Sequence, residues 1–358
     1  MYNRRKARTV RVGGIPIGGD YPITIQSMTN TKTADVEATV AQIKALEAAG
    51  CEIVRVAVND ADAAAGFKEI RRRIGNMPLV ADIHFDHHMA LAAIEAGADK
   101  IRINPGNIGF RESLAAVVNA AKKRGLPIRV GVNSGSLESH LIEKFGGVTA
   151  EGLAQSALDN VRLLEEMEFE DIVISIKASN IPMTLKAHEI LAPQTEHPLH
   201  IGITEAGSLF AGNIKSSAGL AALLTRGFGD TLRISLTADP VEEIRTAKEL
   251  LQSLRLRVFG PEIISCPTCG RTDVDLIHIV DEVERRIKHI KTPMTIAIMG
   301  CIVNGPGEAK EADIGVAGGK GAAILFKKGE IVKRVAEEDM VNVLVEEVEK
   351  EDKAFSRH

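Results

Sequence analysis

Cys266-Pro267-Thr268-Cys269 places two thiols three residues apart, and Cys301 adds a third from a distant segment. Two thiolates at that spacing can grip one metal centre, and a third completes a three-sulfur cradle. The fourth cysteine, Cys51, lies more than two hundred residues upstream, at the start of a strand, and reads as a buried structural thiol. A closed zinc site wants four protein ligands, and a disulfide framework wants even numbers. An iron–sulfur centre with one unusual or open position therefore fits first, with zinc and inert thiols as the other readings. The second cysteine loop, Met299-Gly300-Cys301-Ile302-Val303-Asn304-Gly305-Pro306-Gly307-Glu308, carries glycines that let the main chain approach a bulky cofactor. Glu308, seven residues after Cys301, could supply a fourth and labile ligand.

A second set of reactive side chains recurs at the ends of short β-branched runs. These runs cover 23–28, 53–58, 79–84, 100–104, 128–133, 172–177, 199–204 and 232–237, with helix-period segments between them such as 35–49, 61–74, 87–96, 110–123 and 152–167. Eight consecutive βα units predict a closed (β/α)8 TIM-type barrel, whose active site forms at the C-terminal ends of the strands. In order, those ends carry Gln26 and Ser27, Arg55, Asp82 and His84, Arg102 and Asn104, Arg129 and Asn133, Lys177, Thr204 and Glu205, and Arg233 and Ser235. Five cations converge on one mouth with only Asp82 and Glu205 as local carboxylates. The missing counter-charge points to a doubly charged ligand such as a diphosphate. Glu205 reads either as a general base or proton relay, or as a charge partner of Lys177 or an arginine.

An eighth helix is expected over 239–254, with Asp239 as N-cap and Pro240 at its first position. The rhythm then changes near residue 255. Beyond it come a strand (258–264), a helix (273–290), a strand (295–299), a glycine-rich loop, two short strands and a terminal helix (337–349). This predicts a barrel domain over 1–255 and an α+β domain over 256–358 that carries the clustered cysteines. The stretch 315–321 lacks Walker spacing and reads as a β-turn.

A net charge of −4 over 358 residues, with 3% aromatics and no Trp, argues against nucleic acid as a partner. No apolar run reaches the roughly 18–20 residues of a membrane span. The N-terminus lacks the apolar region of a secretory signal, and four cysteines without one point to the cytoplasm.

Taken together, Ile25-Gln26-Ser27-Met28-Thr29, Ala81-Asp82-Ile83-His84-Phe85, Arg102-Ile103-Asn104-Pro105-Gly106-Asn107, Arg129-Val130-Gly131-Val132-Asn133, Gly202-Ile203-Thr204-Glu205-Ala206-Gly207, Ser265-Cys266-Pro267-Thr268-Cys269-Gly270-Arg271-Thr272 and the Cys301 loop resemble one family. It is the 4-hydroxy-3-methylbut-2-enyl diphosphate synthases of the methylerythritol phosphate route to isoprenoids, in their short bacterial two-domain form. The resemblance spans about residues 5 to 350. It implies reductive opening and dehydroxylation of 2-C-methyl-D-erythritol 2,4-cyclodiphosphate. It further implies a [4Fe-4S] cluster on Cys266, Cys269, Cys301 and Glu308, fed by reduced flavodoxin or ferredoxin. Arg55, Arg102, Arg129, Lys177 and Arg233 match the family's diphosphate-binding cations, with hydrogen bonds from His84, Asn133 and Ser235. Asp82 and Thr204 complete the candidate substrate-binding set. Glu205 matches the acid/base residue and Asn304 a cluster-side contact. A homodimer, with the cluster domain of one subunit capping the partner barrel, is also implied. Two other readings compete: a dihydropteroate-synthase-like transferase barrel with a zinc ribbon, and a non-catalytic electron carrier.

Overall fold

Residues 3–108, 111–301 and 309–355 are described by the computed structural model, in which the chain divides into two units, Met1–Arg257 and Val258–His358. The first begins with an antiparallel hairpin, β1 (Val10–Val12) and β2 (Ile15–Ile17). Its buried Val12 and Ile17 pack with Ile53 and Val80, plugging the floor of a parallel barrel. The barrel's elements start with β3 (Thr24–Met28), α1 (Val36–Ala49), β4 (Ile53–Ala57), α2 (Ala61–Arg73), β5 (Leu79–Asp82), α3 (His87–Glu95), β6 (Lys100–Ile103) and α4 (Arg111–Arg124). The unit continues with β7 (Ile128–Asn133), α5 (Ser139–Phe145), α6 (Ala150–Glu165), β8 (Ile172–Lys177), α7 (Ile181–Leu191), β9 (His200–Ile201), α8 (Leu209–Leu224), β10 (Thr231–Leu232) and α9 (Pro240–Ser253).

The eight strands from β3 to β10 form one parallel sheet in the order β8-β7-β6-β5-β4-β3-β10-β9, and a parallel bridge between Ile174 and Leu199 joins its two ends. Alternation decides which face is which. Ile101 and Ile103, Ile128, Val130 and Val132, and Ile172, Ile174 and Ile176 are fully buried, on the face that meets the helices. The intervening Lys100, Arg102, Arg129 and Lys177 are also buried, so the polar residues line the barrel's interior. Side-chain caps fix several helix starts, Asp35 on Ala38 N–H at 3.1 Å and Asp239 on Val241 N–H at 2.9 Å, each worth about 1 kcal/mol.

The last two barrel strands are far shorter than the runs 199–204 and 232–237 suggest. Glu205 adopts φ 52°, which takes the chain out of extended backbone. Leu236 N–H bonds the Glu243 carboxylate at 3.2 Å instead of a neighbouring strand.

The second unit holds β11 (Glu262–Ser265), α10 (Leu276–Ile287), β12 (Thr295–Met299), β13 (Ile314–Gly319), β14 (Ala322–Lys327), β15 (Glu330–Ala336) and α11 (Met340–Phe355). Its sheet runs β11-β12-β13-β14-β15, parallel through β13 and antiparallel after it. Ile279 and Val283 of α10 and Leu344 and Val348 of α11 bury one sheet face against Ile296, Ile298 and Val316. Three strands, not two, follow the glycine-rich loop, and most of 315–321 is the buried β13 rather than a turn. Glycine is required there by space: an added Cβ at Gly315 would lie 2.4 Å from the Phe326 ring, and one at Gly318 2.6 Å from Val274. No helix among the described residues is long and apolar enough to cross a membrane.

Candidate functional site

Inward positions of β4 to β8 bring Arg55, Asp82, Arg102, Arg129 and Lys177 together, all buried, although Arg129, expected at a strand end, is the second residue of β7. Asp82 is shared: Oδ1 accepts from Arg102 Nη1 at 3.1 Å and Oδ2 lies 3.5 Å from Arg55 Nε. Burial opposes its ionisation, yet Arg55, Arg102 and Arg129 hold the carboxyl far below its ordinary range. Burial in turn pushes Arg55 down to about 10, with Asp82 opposing that shift. Burial and the neighbouring guanidiniums lower Arg129 and Lys177 well below their ordinary values. Arg129 Nε and Nη1, Arg55 Nε and Arg102 Nε have no hydrogen-bond partner among the described residues.

Two glycines make this crowding possible. A Cβ at Gly131 of β7 would sit 2.3 Å from Arg102 Nε, and one at Gly202 3.1 Å from Lys177 Nζ. The Asn133 amide, with its oxygen turned to Arg102, accepts from Nη2 at 3.0 Å. His84 reaches Asn59 Oδ1 at 3.3 Å and lies 4.0 Å from Asp82, while Thr204 and Ser235 are half-buried in the segments that follow β9 and β10. Glu205 is exposed, and no ion pair among the described residues joins it to Lys177 or an arginine. The charge-partner alternative for this residue is therefore not what the fold adopts.

In the second unit, β11 and β12 are neighbouring parallel strands whose C-terminal ends release Cys266 and Cys301 at the same edge. Gly300 N–H donates to Cys266 Sγ at 3.3 Å, and Asp273 N–H to the Gly300 carbonyl at 3.1 Å, tying the two loops. Cys269 is exposed, and hydrogen bonds from Arg271, then from Thr272, lower its thiol pKa. All four cysteines are free, and the three clustered sulfurs do not close as a trio to within 4.8 Å. This donor set fits a thiolate-bound group. Glu308 and Asn304 lie outside the described residues. Cys51 is different: it donates to the Ile53 carbonyl at 3.1 Å, and burial pushes it up to about 12, so it stays a thiol.

Residues 7–248 match the model of the GcpE TIM-barrel domain and residues 262–350 that of the GcpE protein C-terminal domain. The chain belongs to the GcpE family. It is 56% identical, over 98% of its length and 95% of the relative's, to a 4-hydroxy-3-methylbut-2-en-1-yl diphosphate synthase (flavodoxin) of Bacillus mycoides (strain KBAB4). A protein of the same name from Bacillus cytotoxicus is 57% identical over 97% of this chain and 94% of that one. Among solved structures, a type I 3-dehydroquinate dehydratase from Clostridium difficile shares the barrel fold at a TM-score of 0.52 and 16% identity, covering 69% of this chain and 98% of that one.

Two buried groups of this GcpE chain escape a reading confined to strand ends. Glu243, on the first turn of α9, is 2% exposed and grips Arg233, so Asp82 and Glu205 are not the only local carboxylates. Its place on the first turn after the N-cap Asp239 and Pro240 can be read from the sequence, but its burial cannot, since Glu242 of the same turn pairs with Arg245 instead. Lys100 opens β6 and is fully buried on the barrel axis, two residues before Arg102. Period-two alternation alone would place it there.

Proposed function

We infer that the chain carries out the reductive ring opening and dehydroxylation of 2-C-methyl-D-erythritol 2,4-cyclodiphosphate to (E)-4-hydroxy-3-methylbut-2-enyl diphosphate, in isoprenoid biosynthesis. The observation that carries the reading is charge. Arg55, Arg102 and Arg129 surround the single carboxylate of Asp82, while Arg233 is neutralised by Glu243. Two positive charges remain uncompensated even with Lys177 neutral, which is the complement of a cyclic diphosphate dianion. Guanidinium donors without a hydrogen-bond partner among the described residues would be satisfied by its oxygens.

Each residue then has a task. Asp82 holds Arg55 and Arg102 in place. Arg129, Lys177 and Arg233 take phosphate oxygens, and His84, Asn133, Thr204 and Ser235 add hydrogen bonds that set the substrate's orientation. Glu205, free of ion pairing at the rim, delivers a proton as a ring C–O bond to phosphate breaks and a hydroxyl leaves as water. Cys266, Cys269 and Cys301, with Glu308 as fourth ligand and Asn304 beside it, would hold a [4Fe-4S] cluster that supplies two electrons. Zinc is disfavoured, because sulfurs at about 2.3 Å from one tetrahedral ion would stand only about 3.8 Å apart. Reduced flavodoxin is the donor that the relatives' name suggests, with ferredoxin as the alternative. A homodimer in which each C-terminal domain caps the partner's barrel would exclude water from the reduction. Four unpaired thiols suit the cytoplasm.

The test is to isolate the protein anaerobically and measure iron, acid-labile sulfide and zinc, then turnover of the cyclic diphosphate with reduced flavodoxin. About four irons and four sulfides per chain, with turnover, support the reading. Stoichiometric zinc without sulfide would overturn it in favour of the transferase barrel.

A further inference from the structure

Lys100 is fully buried, and its ammonium has no carboxylate within ion-pair distance among the described residues. Its one hydrogen-bond partner among the described residues is Gln26 Oε1 at 3.4 Å. Because β6 and β3 are separated by β5 and β4 in the sheet, that contact crosses the barrel interior. Lys100 therefore lies on the axis, one inward step of about 7 Å deeper than Arg102.

We propose that Lys100 stands uncharged in the substrate-free barrel and takes up one proton when the dianionic substrate settles on the arginines above it. The inference rests on the substrate assigned under the proposed function. The groups facing Lys100 all argue for a neutral amine before binding. Arg129 and Arg55 repel a charge there, and His200, fully buried with both ring nitrogens unpartnered among the described residues, offers no negative charge. Asp82, the nearest carboxylate layer, is occupied by Arg55 and Arg102. Burial lowers the Lys100 pKa well below its ordinary value, with the two arginines adding to it. A bound dianion cancels the two uncompensated arginine charges that repel a proton at Lys100, and in a low-dielectric interior its reach extends to the next layer of side chains. Lys177 also meets the substrate, so it cannot be removed without losing binding; Lys100 can.

The experiment is calorimetric titration of the oxidised holoenzyme with the cyclic diphosphate, without reductant, in buffers of differing ionisation enthalpy at about pH 7.5. The slope of the observed heat gives the protons taken up. Wild type should exceed Lys100→Met by about one proton, while His200→Gln keeps the wild-type slope. Wild-type affinity should fall by up to about tenfold per pH unit between pH 7 and 9, and that slope should flatten in Lys100→Met. If Lys100→Met fails to fold, Lys100→Gln makes the same comparison. Binding without proton uptake in wild type, or equal uptake in the lysine variant, overturns this inference and leaves the functional reading standing. No binding at all in wild type overturns both.

Discussion

Glu243 holds Arg233 through both carboxylate oxygens: Oε2 accepts from Nε and Oε1 from Nη2, each at 3.1 Å. Ser27 Oγ donates to Oε2 at 2.7 Å and Leu236 N–H to Oε1 at 3.2 Å, so helix α9 fixes a cation contributed by the end of β10. A guanidinium gripped at two points keeps its orientation when substrate arrives. Glu243→Gln retains the shape and removes the charge. It should raise KM for the cyclic diphosphate about tenfold with kcat changed less than about threefold, since the loss is in binding and not in the chemical step. An unchanged KM would take Glu243 out of the positioning role.

Arg129 illustrates a conflict between stability and binding. It is 1% exposed, beside Arg55 and Arg102, with two donor nitrogens that no described residue satisfies. An uncompensated buried cation opposes folding, so Arg129→Met should raise the thermal midpoint of the substrate-free protein by roughly 2–4 °C, the equivalent of about 1 kcal/mol. The same change should weaken substrate binding by at least about a hundredfold. Thermal melts with and without the cyclic diphosphate read both numbers. A variant that melts lower and still binds would contradict the charge argument.

Alternation places Arg55, Asp82, Arg102, Arg129 and Lys177 on the barrel's inner face from the sequence, although Arg129 lies at the start of β7 and not at its end. Alternation fails where the signal comes from elsewhere. Glu243 is contributed by a helix, and whether its first turn is buried depends on how α9 seats against β3. Strands β9 and β10 stop short of their β-branched runs, and β-branched content does not report the Leu236–Glu243 bond that draws the chain after β10 toward α9. In the second unit, glycines that suggest a turn belong to a strand, where Gly315 and Gly318 make room for Phe326 and Val274. Glycine for space and glycine for φ look alike in a sequence.

His188 gives a pH signature. It is 1% exposed in α7, hydrogen-bonded at Nδ1 to the Thr184 carbonyl at 2.8 Å, and burial lowers its pKa to about 4. Between about pH 6.5 and 4 the unfolded chain binds a proton there and the native chain does not. Stability must therefore fall as the pH is lowered through that window, by about 3 kcal/mol in all. Urea midpoints at pH 7 and 4.5 should separate in wild type by more than in His188→Gln. Equal separations would mean that other groups carry the acid sensitivity.

Cys269 is exposed and its thiol is acidified by Arg271 and Thr272, which prepares it as a thiolate ligand. Cys269→Ser should lose most of the iron and sulfide while far-ultraviolet dichroism stays native. Glu308→Ala should retain iron and sulfide and slow turnover by at least about tenfold, the weight of one contact made during reaction. Full cluster content in the serine variant, or undiminished turnover in the alanine variant, would remove the respective residue from the proposed site.

Subunit complementation decides which barrel each cysteine domain serves. Arg129→Glu disables a barrel and leaves its cysteines intact; Cys269→Ser does the reverse. Each homodimer should be inactive. If every C-terminal domain caps the partner's barrel, a mixed dimer joins the intact barrel of one chain to the intact cysteines of the other and regains one working site. Co-expression at equal levels gives about half mixed dimers, and so about a quarter of wild-type activity per chain. If instead each domain served its own barrel, the mixed dimer would contain no complete site and the preparation would stay inactive. A different affinity tag on each chain, with purification through both tags before the assay, isolates the mixed dimers and separates that outcome from a simple failure to form them.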